Sequence, residues 1–262
     1  MVVTSYQRRE LLRQAIDSVL AQTLEDREVI VADDESTDGT LEDLRSLPVQ
    51  VVRLAHSGVP AVTRNAGMAR ARGDLITFLD CDDVWRPTIL EELARALDEH
   101  PEVGFAWCAS EPEPSPAPPD PPVGDMFDRL LETNLIVTSG VMIRKPLTDL
   151  VGQFDSRLRV TEDWDYFLRM AARAAGAYVP RCLTYVRPSP DSLSRAPGGV
   201  IYGENIQVTR KALMWCRAHR PSSLSNARRA YRRSIYASAR YAWHRRAIRR
   251  TVRDMVTLAF AR

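Results

Sequence analysis

Short runs of hydrophobic residues alternate along this chain with longer segments in which hydrophobic residues recur every three or four positions. The short runs predict β-strands and the longer segments predict amphipathic α-helices. The predicted strands cover residues 2–6, 28–32, 49–54, 75–79, 103–108 and 135–143. The predicted helices cover residues 8–23, 41–47, 59–72, 88–100 and 162–175.

This alternation of strand and helix predicts an α/β fold with a Rossmann-like, mostly parallel sheet and helices on both faces. From about residue 205 the pattern is helical with no further strand. We therefore expect a main domain over residues 1–204 and a C-terminal helical extension over residues 205–262. Seven of the thirteen residues 111–123 are proline, which lacks the amide donor of a strand or helix and predicts a surface loop.

The composition excludes several classes of protein. The four cysteines are scattered without a CxxC pair or a neighbouring histidine, so neither a zinc site nor a disulfide framework is indicated. No run reaches the roughly 20 apolar residues of a membrane span, and no signal peptide precedes the first strand. We expect a reducing, cytoplasmic location, and peripheral association with the inner membrane stays open.

The net charge of +2 conceals an uneven distribution of charge. Residues 221–262 carry eleven arginines and one acid, Asp254, while the other 220 residues carry 25 basic and 33 acidic groups. The tail is thus a basic helix candidate beside an acidic body. It could dock on that body, touch anionic lipid as a peripheral membrane contact, or bind an acidic acceptor.

Clusters of acidic residues follow two of the predicted strands. The apolar run 75–79 ends in Asp80, Asp82 and Asp83, and the run 28–32 ends in a segment that begins Asp33-Asp34. Each cluster alone could be a solvated turn or a helix cap. Together with the end of the first strand they form three loops at one sheet edge, where open α/β sheets hold ligands. Clustered carboxylates favour a hard cation such as Mg²⁺ or Mn²⁺.

Several motifs occur in a fixed order between residues 2 and 195. They lie at residues 2–6, 18–23, 33–40, 58–67, 73–83, 139–144, 154–155 and 161–165. In this order and spacing the chain resembles the inverting family-2 glycosyltransferases of the GT-A fold. The resemblance implies transfer of a sugar from a nucleotide-diphosphate sugar to an acceptor hydroxyl, which would belong to a sugar, a lipid-linked molecule or a natural product.

The resemblance also implies which residues would hold the donor. Thr4 and Tyr6 would flank the nucleotide, and Asp34 would accept a hydrogen bond from the base, with Asp33 beside it. Arg64 would lie near the donor's phosphate or sugar. A carboxylate at Asp34 suits the N3–H of a pyrimidine, so we expect UDP or dTDP to be favoured.

The Asp-x-Asp signature of the family falls on Asp80 and Asp82. By resemblance, Asp82 would be the direct ligand of Mn²⁺ or Mg²⁺, and Asp80 would face the ribose or a metal-bound water. Asp163 would be the catalytic base, although an acid at a helix start is also explained by the helix dipole. Arg187 would contact the donor phosphates, and a plain surface arginine is an equal alternative for it.

The chain departs from the family pattern in two places. Glu35 stands where a small residue is usual. The first strand is a few residues short, which we interpret as a shifted start site or a weaker strand. Residues 185–187 with Ser192 and Ser194 resemble the loop that closes over the donor. Trp164 could stack on a sugar or lie in the core.

Two other functions compete with sugar transfer. A sugar-phosphate nucleotidylyltransferase would also use an α/β sheet and acidic metal ligands, but the first turn, at residues 4–7, lacks a glycine-rich phosphate loop. A protein that binds nucleic acid or membrane through the basic tail belongs to a different class. We expect no nucleic-acid partner.

Overall fold

The computed structural model describes residues 1–112, 122–189 and 198–245. The strands are β1 Val2–Ser5, β2 Ile30–Asp33, β3 Gln50–Arg53, β4 Leu75–Asp80, β5 Val84–Trp85, β6 Val103–Glu111, β7 Val123–Gly124, β8 Val141–Arg144 and β9 Ala175–Tyr185. The helices are α1 Arg9–Leu20, α2 Thr40–Leu44, α3 Pro60–Met68, α4 Ile89–Glu99, α5 Phe127–Glu132, α6 Lys145–Val151, α7 Glu162–Ala171, α8 Gly198–His219 and α9 Leu224–His244.

One mixed sheet runs through the molecule in the order β3-β2-β1-β4-β8-β6-β9-β5, with β7 paired to β9. The half formed by β3, β2, β1 and β4 is parallel. Strand β8 is antiparallel to both β4 and β6, and β6 is parallel to β9. The α/β class and the mostly parallel sheet predicted from the sequence are confirmed.

Helices cover both faces of the sheet because neighbouring residues of its buried strands point to opposite sides. Val2 belongs to a core that includes residues of α3 and of α5 to α9. The next residue, Val3, belongs to a second core that includes residues of α1 and α4. Strands buried on both faces explain why β1 and β4 read as continuous apolar runs.

The structure corrects the predicted strand over residues 135–143. Its first part forms a 3₁₀ turn, Thr138–Gly140, and only Val141–Arg144 pairs as β8. In this turn the Ser139 hydroxyl accepts a hydrogen bond from the backbone N–H of Asp80, and the Ser139 carbonyl accepts one from the indole of Trp85. Three elements of six or more residues, α5, α6 and β9, were not predicted. The helix predicted over residues 162–175 ends at Ala171.

The C-terminal helices pack onto the main body. Helix α8 begins at Gly198 and crosses the boundary predicted at residue 204. The Glu204 carboxylate accepts hydrogen bonds from the backbone N–H groups of Arg159, Val160 and Thr161 at 2.9–3.0 Å. Within the described ranges, no helix has the length and apolar character that a bilayer crossing requires. Most of the predicted proline-rich loop, residues 113–121, lies outside the residues that the structure describes.

Candidate functional site

The three loops predicted from the sequence, two of them acidic, meet at one edge of the sheet. In the parallel registers of β1, β2 and β4, Ser5 lies opposite Asp33 and Thr4 lies opposite Asp80. The Thr4 hydroxyl donates to Asp80 Oδ1 at 3.0 Å. Since parallel strands end at the same side, the loops after all three strands face a common space at this edge.

Asp34 is held by the loop that follows β3. Its carboxylate accepts hydrogen bonds from the backbone N–H groups of Ser57 at 2.9 Å and Gly58 at 2.8 Å. His56 Nδ1 lies 3.0 Å from Asp34 Oδ2, and the His56 ring stacks on Tyr6 with a centroid distance of 4.3 Å. Tyr6 is 41% exposed, so this stacked pair offers an aromatic surface beside a fixed carboxylate.

Asp33 is fully buried below this surface. Its Oδ2 accepts a hydrogen bond from the Ser36 backbone N–H at 2.8 Å, and Oδ1 has no partner among the described residues. The hydrogen bond between Ser36 and Asp33 therefore stabilises the loop after β2. The next acid, Glu35, has a left-handed backbone with φ of 69° and accepts a hydrogen bond from the His56 N–H at 3.0 Å.

Arg64 lies buried at the centre of the site and connects two acidic groups that are distant in sequence. Its Nη2 donates to both oxygens of Asp80 at 2.9 and 3.0 Å, and its Nη1 donates to Glu162 Oε1 at 2.5 Å. Burial opposes the charge of Arg64, but Asp80 and Glu162 outweigh it and raise the pKa of the guanidinium. Both terminal nitrogens of Arg64 thus bond to carboxylates. Its position near the donor's phosphate or sugar stays a prediction.

The turn after β4 carries two further carboxylates with different surroundings. Asp82 is partly exposed and forms an ion pair with Arg8. Asp83 is buried, accepts a hydrogen bond from the Ser139 hydroxyl at 2.5 Å and accepts another from the Arg187 backbone N–H at 3.2 Å. Burial, with the negative charge of Asp80 next, raises the pKa of Asp83 to about 7.

Arg187 lies over this turn. Its Nε donates to the Asp82 carbonyl at 3.1 Å, and its Nη2 donates to Gln14 at 2.7 Å. These contacts place Arg187 beside the Asp-x-Asp segment, on protein oxygens. Its contact with the donor phosphates stays a prediction. Ser192 and Ser194, predicted to belong to the same loop, lie outside the described residues.

The acidic turn suits a divalent cation only if further ligands come from a bound molecule. Among the described residues, no group of three histidine, cysteine or acidic side chains is arranged to hold a metal. Both oxygens of Asp80 already bond to Arg64, whereas the Asp82 carboxylate pairs with Arg8 alone among the described side chains. A lone hard-oxygen ligand is the pattern of Mg²⁺ sites that take the rest of their ligands from phosphates and water, so Asp82 fits this role better than Asp80.

Asp163 lies in the first turn of α7, within the same electrostatic network. Its Oδ2 accepts a hydrogen bond from Asn134 Nδ2 at 3.0 Å, and its Oδ1 accepts one from the Trp164 backbone N–H at 2.6 Å. Burial, followed by the nearby Glu162, raises the pKa of Asp163 to about 7. A carboxylate in this state can exchange a proton near neutral pH.

Sequence reasoning missed two residues of this network. Glu162 was noted only as the neighbour of Asp163, yet it is the buried partner of Arg64. Asn134 lies 29 positions from the acid that it contacts, and no motif in a single sequence marks it. Trp164 is a core residue, since it is 8% exposed and its indole donates to the Leu130 carbonyl at 2.7 Å.

Two other acids near this network form ion pairs with one lysine of α8. Asp155 and Asp165 both bind the ammonium group of Lys211, at 2.5 and 2.9 Å. Asp165 also lines a cavity of about 180 Å³ between α7 and α8, with Leu168, Val208 and other mainly apolar side chains. None of the site residues described above lines that cavity.

Comparisons with known proteins agree with this geometry. The family model "Glycosyl transferase family 2" matches residues 1–140. TuaG of Bacillus subtilis, a glycosyltransferase whose name assigns it provisionally to teichuronic acid biosynthesis, is 29% identical over 205 residues, covering 74% of this chain and 80% of TuaG. An uncharacterized glycosyltransferase of Haemophilus influenzae is 28% identical over 178 residues, covering 65% of this chain and 60% of the relative. The chain therefore spans less than two thirds of that relative's length.

Solved structures share the fold at low sequence identity. TarS of S. aureus, residues 1–349 in complex with UDP-GlcNAc, superposes with a TM-score of 0.69 at 18% identity, covering 98% of this chain and 89% of that one. The mannosyltransferase PcManGT of Pyrobaculum calidifontis, in complex with GDP-Man and Mn²⁺, superposes with a TM-score of 0.64 at 17% identity, covering 99% and 82%. These neighbours establish the architecture.

Proposed function

This chain belongs to glycosyl transferase family 2, and on that basis we propose that it transfers a sugar from a nucleotide-diphosphate sugar to an acceptor hydroxyl with inversion at the anomeric carbon. The observation that carries the proposal is the position of Asp163. This partly buried acid shares one network of charges with Arg64 and the acidic turn after β4. A candidate base thus lies close to the candidate donor site.

The chemistry of transfer requires such a base. A sugar hydroxyl has a pKa far above 7, so a positioned group must accept its proton in the transition state, and the most effective base has a pKa near the working pH. Asp163, with a pKa raised to about 7, meets that requirement. Its hydrogen bonds from Asn134 and the Trp164 amide orient the carboxylate.

The departing nucleoside diphosphate requires stabilisation of negative charge. We propose that Asp82, with Asp80 beside it, binds Mn²⁺ or Mg²⁺ on the diphosphate, where such an ion supplies Lewis-acid stabilisation of the leaving group. The Mn²⁺ in the PcManGT complex supports this proposal by analogy. Arg8, which pairs with Asp82, would have to release the carboxylate.

The donor is proposed to be a UDP- or dTDP-sugar. Asp34 presents a fixed carboxylate to a base, and Tyr6 stacked on His56 offers a flat surface next to it. Thr4 anchors Asp80 on the ribose side. The TarS complex with UDP-GlcNAc is consistent with a uridine nucleotide. The acceptor is proposed to be a sugar, a lipid-linked molecule or a natural product.

The test uses the full chain and two site variants. UDP, dTDP, GDP and CDP binding is measured by calorimetry with and without Mn²⁺, and turnover is measured as release of nucleoside diphosphate from the matching sugar donor. Asp163→Asn should retain donor binding and lower turnover by roughly 10²–10⁴-fold. Asp82→Ala should abolish the Mn²⁺ dependence of nucleotide binding.

The matched control is Glu91→Gln, which removes an acid from the first turn of α4, outside the site. If Asp163 interacted only with the helix dipole, Asp163→Asn and Glu91→Gln would each lose about 0.3–1 kcal/mol of stability and keep their turnover. Parental turnover in Asp163→Asn would remove Asp163 as the base. A purine diphosphate that binds more tightly than UDP would refute the donor assignment.

A further inference from the structure

Helix α9 divides its side chains between two faces of different chemistry. Its inner face is buried against α5 and α8 and includes Ala227, Tyr231 and Ile235 in the main core. Its outer face is exposed and contains no acid, because the helix sequence has no aspartate or glutamate. Successive exposed positions three or four residues apart form one continuous stripe. The stripe, called the α9 face below, consists of Arg228, Arg229, Arg232, Arg233, Tyr236, Arg240 and Trp243.

Two large aromatic side chains lie in the middle of this arginine stripe. Tyr236 is 61% exposed and Trp243 is 70% exposed. At 100° per residue these two positions lie about 20° apart around the helix, with arginines on either side. Exposed tryptophan costs free energy in water unless a partner covers its apolar ring. Among the described residues no acid pairs with an arginine of the α9 face, so this surface presents exposed aromatic rings next to positive charge.

We propose that the α9 face binds the surface of an anionic lipid bilayer. Arginines bind the phosphates of anionic headgroups, while tyrosine and tryptophan are the residues that lie at the boundary between headgroups and acyl chains. Both requirements are met by the exposed side of one helix.

The same geometry disfavours the two other uses that the sequence left open. The α9 face is not docked on the acidic body. Arg233 contacts the body through the carbonyls of Leu131 and Glu132, but all five arginines of the face are exposed, and none of them forms an ion pair with a described acid. Single-stranded nucleic acid is usually bound in a groove lined by basic and aromatic groups, whereas this stripe is the outer surface of one helix. A bilayer is the partner that fits a basic surface with exposed aromatic rings.

Docking through the α9 face would place the lipid surface near the candidate base. Arg233 donates to the carbonyls of Leu131, at 3.2 Å, and Glu132 at the end of α5. Asn134, whose amide contacts Asp163, follows two residues later, which is at most about 7 Å of chain. An acceptor held in or on the membrane would thus be presented close to the site. This consequence rests on the proposed function, whereas the lipid contact itself is independent of it.

The test measures binding of the full-length protein to vesicles of phosphatidylcholine alone and of phosphatidylcholine with 30% phosphatidylglycerol, by flotation at low and high salt. The variant Arg228→Glu/Arg229→Glu/Arg232→Glu reverses three charges of the α9 face. The control Arg45→Glu/Arg70→Glu/Arg95→Glu reverses three exposed charges of the body. Each arginine near an anionic surface contributes about fivefold in binding, so the α9 variant should bind more than about a hundredfold more weakly than the control.

Tryptophan fluorescence gives an independent readout that does not depend on charge. Trp243 is the most exposed tryptophan, whereas Trp85, Trp107 and Trp164 are buried. Brominated lipid should quench the emission of the parent, and Trp243→Phe should remove most of that quenching while circular dichroism stays unchanged. Sugar transfer is not needed for either measurement, so failure of the proposed function would not affect them.

Three results would overturn the proposal. The first is equal vesicle binding by the α9 variant and the body control. The second is no binding of the parent to anionic vesicles or no quenching of Trp243 by brominated lipid. The third is tighter binding of the parent to single-stranded RNA than to anionic vesicles in the same buffer, which would assign the α9 face to nucleic acid.

Discussion

Replacing Arg64 with methionine tests whether the buried ion network holds the two halves of the site together. The guanidinium is 4% exposed and joins Asp80, at the end of β4, to Glu162, at the start of α7. Methionine keeps much of the volume but leaves the Glu162 carboxylate, also 4% exposed, without its cation. Breaking a buried pair from one side typically costs about 3–5 kcal/mol.

The loss should depend on pH, and its sign follows from the carboxylate left behind. Without Arg64, burial and Asp163 would raise the pKa of Glu162 above its unfolded value near 4.3. When a carboxyl group has a higher pKa in the folded protein than in the unfolded chain, the protein loses stability as the pH rises from the lower to the higher of these two pKa values. Arg64→Met should therefore be destabilised by about 3–5 kcal/mol at pH 7.5 and by much less at pH 4.5.

The assay is urea denaturation of parent and variant at both pH values, with the melting temperature as a second readout. A loss of 3–5 kcal/mol lowers the melting temperature by roughly 10 °C in a chain of this size. The control is Arg64→Met/Glu162→Gln, which removes the charge of both partners and should recover most of the loss. An equal loss at both pH values, or no recovery in the double variant, would refute the reasoning.

Two smaller perturbations test packing and orientation of the same region. Gly67→Ala would place a Cβ 2.2 Å from Val2 Cγ1 and should cost about 1–3 kcal/mol in urea denaturation, whereas Gly73→Ala, whose nearest atom lies 3.6 Å away, should be close to neutral. If Asp163 is the base, as proposed, then Asn134→Ala, which removes a hydrogen bond to the charged form of Asp163, should raise the pKa of Asp163 by roughly 1 pH unit, measured as a shift of the acidic limb of the pH–rate profile. Unchanged stability in Gly67→Ala, or an unshifted pH profile in Asn134→Ala, would contradict these contacts.

The strands that carry the site could be predicted from the sequence because their signals are local. The apolar run at residues 75–79 forms β4, Leu75–Asp80, and the acidic residues that follow it lie in the turn at the sheet edge. A strand buried on both faces needs a continuous apolar run, so the pattern specifies both the element and its burial. The meeting of three loops, two of them acidic, followed from the rule that parallel strands end at one side.

Elements whose form depends on distant partners could not be predicted in this way. Strand β9 contains Pro180, and its pairing register with β6 jumps from Val179 to Cys182. A proline interrupts the ladder and lowers the local strand signal, so only pairing with neighbouring strands on both sides makes this segment a strand. Residues 135–140 have a strand pattern, but the Ser139 contacts to Asp80, Asp83 and Trp85 hold them in a turn.

The sequence by itself determined the chemistry of the acidic edge, its family resemblance and the basic character of the tail. The tertiary structure decided that Arg64 bonds to Glu162, 98 residues away, that Asn134 contacts Asp163, and that the arginines of α9 face outward. The physical reason is that electrostatic interactions and hydrogen bonds depend on distance in space. Residue type sets which interactions a side chain can make, and only the folded chain selects its partner.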